Sequence, residues 1–343
     1  MPPVAEPVAE PIVEIAGLAP DALPDEVLRS TEPRVLRGLV AQWPMVRAAR
    51  QSDAAAIDYL KRFDHGGMPV VATVAPPEEA GRVFYNADLS GFNFRREKIP
   101  LAVALDTLRK YLGDPAPPSI YIASTTVDTF LPGFRAENAV DFGARDPLAS
   151  IWIGNRSRIP AHQDVPDNLA CVVAGRRRVT LFPPEQLENL YIGPLDHTPA
   201  GQAVSLVDFH APDHARFPKF AEALRHARTA VLEPGDAVLI PSMWWHHMEG
   251  LEAFNVLVNY WWRRSPAWMD TPMNALMAAI LCVRDLPPAE RAIWKDVFDH
   301  YVFDYDEAGV AGHIPDTARR VLGPLDEARA RHLRALLLKR LNR

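Results

Sequence analysis

Short apolar runs broken by proline, glycine and aspartate dominate the middle of this chain. "SIYIAST", "ASIWIGN", "NLACVVAG", "RRVTLFP", "AVSLVDF", "TAVLEPG", "DAVLIPS" and "FNVLVNYWW" follow one another between residues 119 and 264, each with the length and β-branched or aromatic content of a strand. Such a series predicts a sandwich or barrel. Between 15 and 118 helix and strand signals alternate. "PDALPDEVLRS" predicts a helix with an acidic start and basic end, "EPRVLRGLV" a strand and turn, "SDAAAIDYLKRF" a helix capped by Ser52, "MPVVATVA" a strand and "IPLAVALDTLRKYL" a helix. From 265 to 343 the pattern is helical: "TPMNALMAAILCV" is apolar, "PAERAIWKDVFDHYVF" amphipathic, and "LDEARARHLRALLLKRLNR" carries a leucine stripe. Residues 1–14, rich in Pro, Ala and Glu, predict a flexible leader. The expected fold class is mainly β with flanking helices: a strand-rich core, an α/β N-terminal part packing on it and a helical C-terminal part.

Composition narrows the partners. A net charge of -6 argues against nucleic acid, which selects a basic surface. Cys171 and Cys282 stand far apart, so neither a disulfide framework nor a cysteine zinc site is expected, and a reducing compartment fits. No apolar run is long enough to span a bilayer, and the start lacks the basic and apolar regions of a secretory signal. The expectation is a cytoplasmic protein with no membrane partner.

The polar stretch "IPAHQDVPDN" carries the first candidate chemistry. On a strand, side chains two residues apart share a face, so His162 and Asp164 point together while Gln163 points away. That is half of a facial metal site. A partner comes from "EPGDAVLIPSMWWHHMEG", where a turn, an apolar strand and a proline precede His246 and His247. Adjacent residues on an extended chain face opposite ways, so at most one of these two ligates, and parity does not say which. Two histidines and one carboxylate leave three octahedral positions open, the donor set of non-haem Fe(II) oxygenases; zinc more often takes a closed tetrahedral set.

Several of these stretches match a known group in order and spacing. "IPAHQDVPDNLACVVAGRRRVTLFPPEQLENLY", "VSLVDFHAPDHARFPKF", "LEPGDAVLIPSMWWHHMEG" and "FNVLVNYWW", with "EPRVLRGLVAQWP" near the start, resemble the JmjC/cupin-8 family of 2-oxoglutarate oxygenases, and within it hydroxylases of the hypoxia-inducible-factor asparaginyl type. The resemblance implies a double-stranded β-helix (a jelly-roll core) over 119–264, with Fe(II) bound by His162, Asp164 and His246 rather than His247. It places Arg177, 15 residues beyond His162, where relatives commonly use lysine to hold the C5 carboxylate of 2-oxoglutarate. Tyr121 matches a second contact to that carboxylate, Asn168 and Asn259 match asparagines near the iron-bound end, and Trp261 a pocket wall. Independently, strand parity turns Arg177 opposite to Arg176 and Arg178, and a single inward arginine needs an anionic partner. One position departs from the family: Ile159 stands where relatives often carry a threonine whose hydroxyl binds the co-substrate.

The function this implies is an Fe(II)- and 2-oxoglutarate-dependent oxygenase, a hydroxylase acting on a C–H bond of a protein, peptide or small molecule with O2 and releasing succinate and CO2. The alternatives are a catalytically retired binding or sensor protein on the same fold, which Ile159 and Arg177 would suit, and a metal cupin with non-oxidative chemistry. Trp244, Trp245, Trp261 and Trp262 are candidates for a dry enclosure around the metal, and the loops "AENAVDFGARDP" and "IGPLDHTPAGQ" for substrate selection. The stripe Leu325, Leu333, Leu336, Leu337 and Leu341 suggests a homodimer through the C-terminal helices.

Overall fold

Strand pairing builds this protein around two sheets, in a computed structural model that describes residues 9–342. Six strands come first: β1 (Glu10–Pro11), β2 (Glu14–Ala16), β3 (Arg34–Arg37), β4 (Pro69–Ala75), β5 (Arg95–Pro100) and β6 (Ser119–Thr126). Eight more form the barrel: β7 (Leu148–Gly154), β8 (Ser157–Gln163), β9 (Asp167–Ala174), β10 (Arg177–Phe182), β11 (Arg228–Leu232), β12 (Ala237–Ile240), β13 (Trp245–Gly250) and β14 (Asn255–Trp262). In the larger sheet these run β12-β9-β14-β7 and in the smaller β11-β10-β13-β8. All pairings among the eight are antiparallel. The chain changes sheet at every connection but one, from β10 to β11, which is the winding of a double-stranded β-helix.

The N-terminal strands extend these sheets. β6, β4 and β5 continue the larger sheet beyond β7, and β3 and β2 continue it beyond β12. The expected leader is corrected here. β1 pairs with β11, β2 pairs with β3, and Ile12 is buried in the barrel core. An apolar residue placed to bury its side chain outweighs the loose composition around it. The first part of that leader lies outside the described residues.

Burial explains why some strands read as runs. Every residue of β9 is buried: Leu169, Cys171 and Val173 face a core shared with helices, while Ala170 and Val172 face between the sheets. A strand covered on both faces has no polar side to alternate. The helix packed on β9 is Pro44–Gln51, and the same core is closed by Asp53–Lys61, where Ser52 Oγ accepts the Ala55 N–H at 3.1 Å as an N-cap, and by Leu101–Lys110. Two expectations shrink. The helix in "PDALPDEVLRS" is one turn, Asp25–Leu28, and "AVSLVDF" forms only isolated bridges, with Val204 opposite His162 and Ser205 opposite Ile192.

The turn from β9 to β10 sets where Arg177 falls. Gly175 has φ +66°, and a Cβ there would lie 2.4 Å from the Phe254 carbonyl oxygen. Gly175→Ala therefore meets both a strained backbone and a wall, and is expected to cost ~2–4 kcal/mol, read as a lowered urea midpoint with unchanged slope.

Two compact units divide the chain, Met1–Trp262 and Arg263–Arg343. The second contains the helices Pro272–Cys282, Pro288–Phe298, Glu307–Ala311 and Glu327–Leu341. Its buried apolar side chains among the described residues are Val310 and Ala311, whereas Leu281, Ile293, Phe303 and Leu338 are exposed. No helix among the described residues is long and apolar enough to cross a membrane.

Candidate metal centre and carboxylate pocket

Pairing of β8 with β13 sets His162 directly opposite His246, with ring centroids 4.1 Å apart. Asp164 follows just beyond β8, its Oδ2 3.6 Å from His246 Nε2. One ligand atom from each of the three lies within 4.8 Å of the others. The rings are held in the ligating tautomer. His162 Nδ1 lies 2.9 Å from the Pro160 carbonyl oxygen, and His246 Nδ1 lies 3.1 Å from that of Trp244. A carbonyl only accepts, so each Nδ1 carries the proton and each Nε2 lone pair is left for a metal. Burial first, then the neighbouring His162, pushes His246 below the ordinary imidazole range, which keeps it neutral. Trp261 Nε1 donates to Asp164 Oδ2 at 3.2 Å and braces the carboxylate. Two imidazoles and one carboxylate on one face suit a divalent metal with open positions. His247 lies on the other side of β13, packed on Phe209 at 4.6 Å, so His246 is the one of the pair that faces the cavity.

Behind the triad is a cavity of about 150 Å³. The eight residues singled out from the sequence, His162, Asp164, His246, Tyr121, Asn168, Arg177, Asn259 and Trp261, all line it. Arg177 opens β10 and is 2% exposed. Its neighbours point outward and are paired, Arg176 with Glu252 and Arg178 with Glu249. Arg177 makes no ion pair among the described residues, and its Nε has no hydrogen-bond partner. Burial lowers its pKa, opposed only by Tyr121, while burial raises that of Tyr121, opposed by Arg177. A buried cation without a counter-charge is costly unless a ligand supplies one. In register, Arg177 pairs with Gly250, four residues along β13 from His246. That is roughly 13 Å of strand, shared between the long arginine side chain and whatever links it to the triad.

Strict alternation would turn Ile159 away from His162, since they stand three apart. The structure puts both on the cavity wall. The reason is a register shift between His246 and Met248, where two residues of β8, Pro160 and Ala161, oppose the single residue His247. This bulge resets the parity of β8 and brings Ile159 opposite Met248 on the inner face. Proline at a bulge gives up no ladder bond.

Other expectations are redrawn. Of the four tryptophans expected to enclose the metal, only Trp261 lines the cavity. Trp244 is buried in the barrel core with its N–H on the Thr31 carbonyl, Trp245 packs outside the smaller sheet, and Trp262 packs beneath the helices. The second tryptophan of the site is Trp152, which the sequence does not single out because parity along β7 alone does not say which face looks inward. The loop "IGPLDHTPAGQ" contributes Ala200 and Gln202 to the wall. "AENAVDFGARDP" contributes nothing there; its Phe142 packs on Tyr260 and Trp262.

Together the fold and the triad define a cupin-type barrel with a cluster of side chains that could hold a metal ion. A family model described as a cupin-like domain matches residues 20–267, and the chain belongs to that family, of the JmjC type. It is similar to tRNA wybutosine-synthesizing protein 5 of Danio rerio, 38% identical over 106 residues, covering 31% of this chain and 29% of the relative. HSPB1-associated protein 1 of Homo sapiens is 37% identical over 144 residues, covering 41% and 28%. Lysine-specific demethylase 8 of Xenopus tropicalis is 24% identical over 246 residues, covering 69% and 49%. The chain thus spans less than half the length of each.

Proposed function

We propose that this protein is an Fe(II)- and 2-oxoglutarate-dependent oxygenase that hydroxylates a C–H bond of a peptide side chain or small molecule, with release of succinate and CO2. The observation that carries the reading is Arg177, a buried arginine without a protein carboxylate partner, facing the same cavity as the triad. A dicarboxylate that chelates a metal at one end needs a cation at the other, and arginine can grip it with two parallel hydrogen bonds. His162, Asp164 and His246 would hold the metal, and Arg177 with Tyr121 the far carboxylate. When bound, metal and 2-oxoglutarate supply O2 activation; the chain supplies orientation and a water-poor enclosure. Its relatives include a tRNA wybutosine-synthesizing protein and a lysine-specific demethylase, so shared family leaves the substrate of this chain open. Anaerobically purified protein given Fe(II), 2-oxoglutarate and O2 is expected to form succinate. No Fe(II)-dependent succinate, even with candidate peptides present, would overturn the reading.

Ile159 offers the cavity a hydrocarbon where relatives often offer a hydroxyl. Ile159→Thr adds one hydrogen bond to the co-substrate, worth ~1 kcal/mol net. Half-saturation by 2-oxoglutarate should fall about fivefold, read from initial rates.

The second unit supports a homodimer through the C-terminal helices. Leu325, Leu337 and Leu341 are exposed and Leu333 and Leu336 half-buried, and Leu281 and Phe303 of the same unit are exposed as well. These exposed apolar side chains are the surface such a dimer would cover. The full chain is expected to sediment as a dimer; a monomer at micromolar concentration would contradict this.

A further inference from the structure

One indole fixes the orientation of two buried amides. Trp152 Nε1 lies 2.7 Å from Asn259 Oδ1. An indole N–H only donates, so Asn259 must turn its oxygen to Trp152 and its NH2 away. That NH2 donates to Asn168 Oδ1 at 3.3 Å, which turns the NH2 of Asn168 away from both. Asn259 is 1% exposed and Asn168 6%, and both line the cavity. The bond from Asn259 is the one the Asn168 side chain makes among the described residues, so its two N–H donors await an acceptor. Register places them at the metal end. Asn168 pairs with Trp261, whose own N–H holds Asp164, whereas Arg177 lies four residues along β10 from Leu181, the partner of His246.

We propose that Trp152 is a positioning residue: through Asn259 it holds the Asn168 amide with its donors toward the cavity, where they receive a carboxylate oxygen at the metal-chelating end of a 2-oxo acid. The inference rests on the proposed co-substrate. Without the indole donor both amides are free to turn over, and Asn168 then presents its oxygen, which repels an anion. Packing does not require this role of Trp152, because phenylalanine keeps a ring against Tyr121 and Trp261, at 5.9 Å each.

The test is calorimetric titration of the full chain, loaded with Mn(II), by 2-oxoglutarate. Trp152→Phe and Asn168→Ala should each weaken binding by about tenfold or more. The double variant should be no weaker than Asn168→Ala alone, since the indole acts only through that amide. Asn259→Asp is isosteric but cannot donate to Asn168 and adds a negative charge on the cavity wall, and should weaken binding at least as much as Trp152→Phe does. Trp152→Phe combined with Arg177→Met should instead multiply the two single losses, because they serve opposite ends. Wild-type affinity in Trp152→Phe, or losses that multiply in the Trp152–Asn168 pair, would overturn the inference while leaving the co-substrate reading intact. No binding by the wild type would overturn both.

Discussion

Arg177→Met is expected to make the ligand-free protein more stable and to remove its response to 2-oxoglutarate. The two effects have opposite signs for one reason. Without ligand the guanidinium is buried beside Tyr121 with no carboxylate partner. Folding must desolvate that charge and recovers little. An apolar side chain of similar length removes the penalty, and the unfolding free energy should rise by at least ~1 kcal/mol. In the proposed complex the same guanidinium would meet a carboxylate away from water. Deleting one partner of such a buried charge pair costs ~2–5 kcal/mol, a loss of roughly 30- to 5,000-fold in 2-oxoglutarate affinity. Arg177→Lys keeps the charge but not the two-pronged geometry, and should fall between. Chemical denaturation of the metal-free protein reads the first effect and calorimetric titration the second. A variant that is destabilised and binds normally would make Arg177 a structural residue.

Asp164→Ala is expected to abolish turnover by removing the one anionic ligand of the proposed metal centre. His162 and His246 remain paired across β8 and β13, so the fold should persist, with a far-ultraviolet spectrum like wild type. Metal affinity should drop by more than the ~10–100-fold typical of an outer-sphere partner. Trp261→Phe provides that comparison, since it removes only the N–H held by Asp164 Oδ2. Equal metal affinity in Asp164→Ala and wild type, measured by competition with a chelator, would exclude this triad as the metal site.

Much of this site is legible in the sequence because its chemistry obeys strand parity. His162 with Asp164, and Arg177 against Arg176 and Arg178, follow from a two-residue period. The barrel is legible from its apolar strands, such as β9 and β14. The strands bearing the histidines, "SRIPAHQ" and "WHHMEG", are polar enough that composition alone marks neither. What stays hidden depends on long-range register. The bulge at Pro160 and Ala161 that turns Ile159 inward exists only relative to β13. Trp152 donates to an asparagine 107 residues away, a partnership no local pattern carries. β1 and β2 escape for the opposite reason, since their local composition reads as a loose leader and only pairing with β11 and β3 makes them strands.

Whether the triad and Arg177 bind one ligand together is the central question. Thermal melts of the wild-type protein with Mn(II), with 2-oxoglutarate and with both decide it. 2-Oxoglutarate is expected to raise the melting temperature strongly only when metal is present, with stabilisation approaching ~2.7 kcal/mol at a hundredfold excess over Kd, and Arg177→Met to abolish the increment. Tight metal binding with a melting temperature indifferent to 2-oxoglutarate would contradict the shared site.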